Sequence, residues 1–262
     1  MWVSLMYHDV AAGDPGGGGG PERFTVSSAS FEAMLDAIAE GGFTGCSLAE
    51  ALGDDVGSPV AITFDDGTTG QFEQAAPALL ERGMTATFFV VTDWVGRPGF
   101  MTWDQLRQLV EWGMSVQSHT RSHPHLSELD AEALRSELSE SRLRLDEELA
   151  QHTDQIAQPG GNAPRPGLRH LLAECGYGVV ATSRWGRNSH GVTSGRSGAV
   201  WLRRCTVPKS PSTELAQRII SGDSRLAVTR YSREAALNGI RAALGANRYA
   251  RWRRRVLNVL DR

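Results

Sequence analysis

The amino-acid sequence predicts an α/β fold built on a mainly parallel sheet, open or closed into a barrel. Three observations lead there. Short runs rich in β-formers alternate with segments of helical periodicity, the pattern of repeated β–α units. Asp65 and Asp66, His119 and Pro159 each follow one of these apolar runs, and in parallel α/β folds the site lies at the strand C-termini. At 262 residues with 40% hydrophobic content, the chain suits one large domain or a barrel with extra elements.

Residues 2–7 read as the first strand. Gly13 to Gly20 is a flexible loop and not a phosphate cradle, because no Gly-Lys-Ser/Thr follows it; its place after His8 would suit a lid. Phe31, Met34, Leu35 and Ile38 form the i, i+3, i+4, i+7 stripe of a helix. Strands are expected at 60–64, 85–91 and 114–118, with a helix from the capping-box pair Thr102 and Gln105 through Leu106, Leu109 and Val110. The longest helix is expected to start at Ser127 and to bury Leu134, Leu138, Leu145 and Leu149. Strands at 155–158, 178–182 and 200–206 follow, with a helix over about 167–175 that ends at Gly176. Beyond these, Leu237, Ile240 and Leu244 line one amphipathic segment, and Tyr249, Trp252, Val256 and Leu260 line another.

The net charge of −3 hides an asymmetry. Residues 225–262 hold ten arginines against Glu234 and Asp261, a balance of +8 that leaves −11 on the rest of the chain. Such a segment points to an anionic partner such as a membrane surface, or to pairing with carboxylates on the body. No nucleic-acid partner is expected. Cys46, Cys175 and Cys205 are odd in number and widely spaced, which fits small buried residues better than a disulfide framework or Cys-rich zinc site. Met1 to His8 has neither a basic n-region nor a signal-peptide core, and no apolar run approaches a membrane span. A cytoplasmic, possibly membrane-associated location is the expectation.

The chemistry concentrates in two places. In Val60-Ala-Ile-Thr-Phe-Asp65-Asp66-Gly67, a strand is stopped by two carboxylates, which are costly at an apolar mouth unless a cation or hydrogen bonds compensate them. Neighbouring side chains point different ways there, so one carboxylate can bind a metal while the other faces the reacting water. In Ser118-His119-Thr-Arg-Ser-His123-Pro124, two imidazoles four residues apart can join one carboxylate in a His-His-Asp metal site with open positions. Together these point to metal-assisted hydrolysis. Each alone is ambiguous: Asp-Gly favours turns, and His125 beside the pair is no obvious ligand.

Thr63-Phe-Asp-Asp-Gly67 with His119-x-x-x-His123 resembles the first two motifs of the polysaccharide deacetylases, the carbohydrate esterase family 4 or NodB-homology group. Met6-Tyr7-His8-Asp9-Val10 resembles the opening of a branch with an N-terminal Met-Tyr-His motif, which includes deacetylases of poly-N-acetylglucosamine. The similarity spans roughly residues 2 to 206. It implies a distorted (β/α)7-type barrel over 1–224 with a helical, Arg-rich C-terminal extension over 225–262. It implies Asp65 as general base, and Asp66, His119 and His123 as ligands of a divalent metal, usually Zn2+, sometimes Co2+ or Ni2+. Ala157-Gln-Pro159-Gly160-Gly161 matches the third motif in part, with the Gly160 N–H as oxyanion donor and Ala157 where many members carry the arginine that orients the catalytic Asp. The late Leu-x-His motif that supplies the general acid is absent; His8 takes that role in the Met-Tyr-His branch, while His170 and His190 are weaker candidates. Asp9 would orient a histidine or contact the metal site. Trp185 would wall a sugar subsite or pack in the core.

The activity implied is hydrolysis of an N-acetyl group from an amino sugar in a glycan or glycan precursor, possibly lipid-linked, with membrane contact through the basic C-terminus. The alternatives are an amide hydrolase of the same fold acting on a small non-sugar metabolite, and a non-catalytic glycan-binding homologue.

Overall fold

Short, largely buried segments form the strands of the main sheet here because both of their faces are covered. The structure, a computed structural model, describes residues 1–13, 24–161, 163–191 and 198–226. The chain opens with β1 (Val3–Tyr7), β2 (Asp9–Ala11), β3 (Thr25–Ser27) and α1 (Ser28–Glu40). Then come β4 (Thr44–Cys46), α2 (Leu48–Leu52), β5 (Pro59–Phe64), a π-helical turn (Gln71–Ala75) and α3 (Ala76–Glu81). The middle of the chain supplies β6 (Thr87–Val90), α4 (Trp103–Glu111), β7 (Ser115–Ser118) and α5 (Ala131–Leu149). The remaining elements are β8 (Gln155–Ala157), α6 (His170–Glu174), β9 (Val179–Ala181), β10 (Val200–Leu202), β11 (Cys205–Thr206) and α7 (Thr213–Ile220).

The main sheet runs β10-β9-β8-β7-β6-β5-β1-β11, with β4 beside the first half of β5, and its pairs are parallel. Every residue of β1 and β5 is buried. Behind the strand ends, Phe64 stacks on Phe88 with ring centroids 4.8 Å apart, and Tyr7 and Phe31 complete the aromatic cluster.

The run expected as one strand over 200–206 divides. β10 pairs with β9, whereas β11 pairs with β1 at the opposite end of the strand order. Only Arg203 and Arg204 separate them, and that step covers at most about 10 Å. The sheet must therefore curl until its two edges nearly meet, which gives the distorted barrel. Arg204 leaves the strand geometry to point inward, which is why the run breaks there.

Other expectations shift at their boundaries. The long helix starts at Ala131, not Ser127; Ser127 lies in a 3-10 turn, and the Asp130 carboxylate accepts from the Ala133 N–H at 2.9 Å as the N-cap. The Thr102–Gln105 capping box forms as expected. β4 and the small parallel β2–β3 sheet were not expected, because strands of three residues carry too little periodicity to read. The three cysteines are buried and form no disulfide. Met1–Gly222 forms one compact unit. The glycine-rich loop over 14–23 and both apolar stripes of the C-terminal extension lie outside the described residues. Among the described residues, no helix is long and apolar enough to cross a membrane.

Candidate active site and metal centre

Parallel register assembles the site. Tyr7 pairs with Phe64, and the Asp65 N–H donates to the Tyr7 carbonyl at 2.9 Å, so His8 and Asp65 leave neighbouring strands side by side. Two strands along, the His119 N–H donates to the Val90 carbonyl at 2.8 Å at the same end of the sheet. Gln71, wholly buried, donates through Nε2 to the carbonyls of His8 and Asp65 at 2.6 Å each and ties the two strand ends together.

The Asp-Asp-Gly turn separates the two carboxylates. Asp66 and Gly67 both adopt positive φ, +77° and +79°, which swings the chain out of the strand. A side chain at Gly67 would meet Val90 at 3.2 Å, and Asp tolerates the left-handed region better than most residues. Asp65 is left 3% exposed inside the barrel, and Asp66 faces the rim.

Asp66 Oδ1 stands 3.5 Å from Nε2 of His119 and 3.5 Å from Nε2 of His123. It is buried and accepts no hydrogen bond. The His119 Nδ1 lies 3.0 Å from the Ala157 carbonyl, which can only accept, so Nδ1 carries the proton and the Nε2 lone pair faces Asp66. An orphaned carboxylate oxygen met by two ring nitrogens is a donor set suited to a divalent cation. A tetrahedral ion binding at about 2.0–2.1 Å places its ligands roughly 3.4 Å apart, close to the spacings here. Among the described residues this is the one group of three or more such side chains that converges.

Burial and the neighbouring Asp65 charge push the Asp66 carboxyl up to about 6, whereas burial pushes His119 down to about 3 despite the opposing pull of Asp65. His123 is also lowered, first by burial. Asp66 therefore takes up a proton before His119 as pH falls. Metal affinity is expected to be flat above pH 6 and to weaken about tenfold per unit below it. Metal titrations between pH 5 and 8 check this, and a flat affinity across that range would show that the Asp66 carboxyl is not raised.

The loop between the two histidines is strained: Thr120 and His123 have φ of +70° and +65°. Glu137 on α5, 4% exposed, holds it there. Its Oε2 accepts from the N–H groups of Arg121 and Ser122 at 3.1 and 2.9 Å, and its Oε1 from the Ser122 hydroxyl at 2.6 Å and Arg121 Nη2 at 3.2 Å. Glu137→Gln turns an amide NH2 toward these donors. We expect metal affinity to drop by about 10–100-fold, measured by titration of the metal-free protein; unchanged affinity would remove the clamp from the account.

Asp65 has the partner that the sequence left uncertain. Arg204, wholly buried, grips it in a fork, Nη1 to Oδ1 at 2.6 Å and Nη2 to Oδ2 at 2.8 Å. Nη1 also donates to the Thr63 hydroxyl at 3.2 Å, and Nε to the Thr182 carbonyl at 3.1 Å. Burial alone would raise the Asp65 carboxyl; the Arg204 charge and hydrogen bonds, joined by His119 and His8, together outweigh it and hold Asp65 well below the usual carboxylate range. The guanidinium absent at Ala157 thus enters from the β10–β11 junction. Two arginines inside an otherwise apolar strand were the signal, since buried arginines need a paired acid.

The other expected residues divide. Pro159, Gly160 and Gly161 form a turn at the end of β8, with Gly160 and Gly161 at φ of +57° and +69°. The Asp9 carboxylate takes the hydroxyls of Thr68 at 2.6 Å and Thr25 at 3.5 Å, so it braces the Asp-Asp-Gly turn and contacts no histidine ring. Trp185 is 5% exposed, which leaves no ring face for a sugar; it is a packing residue. His170 is exposed and reaches only Glu174, at 3.7 Å, and His190 is exposed as well. His8 remains beside the two aspartates, its ring stacked on Phe24 at 4.8 Å.

The family model for polysaccharide deacetylase matches residues 53–180. The chain is similar to the polysaccharide deacetylase family over that stretch. A curated relative in Bacillus subtilis, YxkH, whose name places it among polysaccharide deacetylases, is 29% identical over 191 residues, 71% of this chain. This chain spans 65% of that relative's length. Two solved structures share the fold at 24% identity. A Streptococcus pyogenes deacetylase, PplD, in complex with acetate has a TM-score of 0.71, covering 84% of this chain and 97% of its own. A polysaccharide deacetylase from Bacillus cereus has a TM-score of 0.73, covering 83% of this chain and 68% of its own. His8 and Arg204 lie outside the residues that the polysaccharide deacetylase model matches.

Proposed function

We propose that this protein is a metal-dependent N-deacetylase acting on an amino sugar of a glycan or glycan precursor. The observation that carries the reading is the pairing of two centres: Asp66 Oδ1 within 3.5 Å of both imidazole Nε2 atoms, beside an Asp65 locked ionised by Arg204. Asp66, His119 and His123 would hold Zn2+, Co2+ or Ni2+. A cation there supplies Lewis acidity toward the acetamide carbonyl and water.

The protein's own groups do the rest. Asp65, held ionised, takes the proton of the attacking water. Its fork with Arg204 fixes the carboxylate plane. The Gly160 N–H is the donor assigned to the developing oxyanion. His8 is assigned to protonate the departing amine. A cytoplasmic precursor, free or lipid-linked, is the substrate setting proposed.

Metal analysis of the purified protein, paired with an acetate-release screen over N-acetylated saccharides and a cyclic ureide, tests this reading. Acetate release from saccharides supports it. Turnover of the ureide alone would assign a small-metabolite amidase, and metal binding without turnover would assign a glycan-binding protein.

A further inference from the structure

A cavity of about 660 Å3 opens at the C-terminal ends of β8, β9 and β10. Gln158 and Gly161 line it, flanking Pro159 and Gly160 in the chain. Its other walls carry Arg169, Arg184 and Arg203, with His170 at the edge and no Asp or Glu among the lining residues. Neither Arg169 nor Arg184 forms an ion pair among the described residues. Arg169 is pre-oriented: its guanidinium carbon lies 5.3 Å from the centre of the Trp201 ring, and its Nε donates to the Pro164 carbonyl at 3.4 Å. Gln158 is 2% exposed, and its buried Nε2 has no acceptor. A buried amide donor without an acceptor is costly unless a ligand supplies one.

We propose that this cavity is an anion subsite that takes a phosphoryl group carried by the substrate, close to the acetamido group being hydrolysed. The lining offers donors and positive charge together: the guanidinium groups of Arg169 and Arg184, which have no ion pair among the described residues, and one buried amide. A phosphoryl group carries up to two negative charges and acceptor oxygens only, and arginine forks match it. The volume also suits a phosphorylated sugar unit. The inference rests on the deacetylase reading for its placement, but the cavity and its charge do not depend on that reading.

The test uses the full-length, metal-loaded protein and Arg184→Gln, an exposed position outside the catalytic groups. Inorganic pyrophosphate binding is measured by calorimetry at fixed ionic strength. We expect Arg184→Gln to weaken it at least about tenfold, with Arg169→Gln as a second variant. Equal binding by wild type and both variants, or none at all, would overturn the proposal. In parallel, kcat/KM is compared for an N-acetylhexosamine and its 1-phosphate. Wild type is expected to favour the phosphate ester at least about tenfold, and Arg184→Gln to approach parity with the uncharged sugar's rate unchanged. Parity in wild type would overturn the substrate role. If neither sugar is turned over while pyrophosphate binding still depends on Arg184, the deacetylase reading fails and the anion site stands. Inhibition by pyrophosphate without preference for the sugar phosphate would mark a free phosphate ligand and overturn the substrate assignment.

Discussion

Replacing Arg204 with Met lowers the unfolding free energy by about 3–5 kcal/mol at neutral pH, because Asp65 is left charged, buried and unpaired. Asp65→Asn in that background restores part of the loss. The cycle therefore yields a coupling of about 0.5–3 kcal/mol between two residues 139 positions apart. The sign with pH is definite. In the wild type the Asp65 carboxyl sits below its unfolded value, so its stabilisation is present above about pH 3.9 and is lost only as pH falls through the lower folded value. Without Arg204, burial raises the carboxyl instead, and the variant gains relative stability as pH falls. The deficit should be largest near pH 7 and shrink toward pH 4. Urea titrations of the four proteins at both pH values check this; additive effects, or a deficit that grows in acid, would remove the pair from the account.

Asp65→Asn lowers the turnover of an acetamido sugar by about 10²–10⁴-fold with bound metal retained, since Asn keeps the shape and loses the base. His8→Asn should act differently. A protonating group matters for an amine leaving group and far less for a nitrophenolate. His8→Asn is thus expected to depress acetamide hydrolysis about 100-fold or more while sparing 4-nitrophenyl acetate, whereas Asp65→Asn depresses both. Equal loss on both substrates in His8→Asn would place His8 in a positioning role, and full activity in Asp65→Asn would refute the base assignment.

The sequence carried the candidate metal-binding group well, and the reason is local. His119 and His123 sit on one five-residue loop and Asp66 in one turn, so spacing and residue type alone describe how their side chains can converge. The β–α alternation then put both segments at the same end of the sheet. Glu137 was less visible. On α5 it reads as one more acid on a polar helix, and only the packing of that helix under the 119–123 loop makes it the acceptor of four hydrogen bonds. Trp185 went the other way: an aromatic beside a predicted strand end is compatible with wall or core, and its burial decides for the core.

By itself, then, the sequence determined the α/β class and the convergence of Asp66, His119 and His123, because these depend on short-range pattern and on the residue chemistry of single turns. Tertiary structure alone decided what steadies Asp65. Arg204 lies in a strand-like run where no local rule names its partner, and it reaches Asp65 only because the sheet curls until β10 and β11 stand at adjoining edges. A buried charge takes whichever opposite charge closure brings within reach, and closure is a property of the whole barrel.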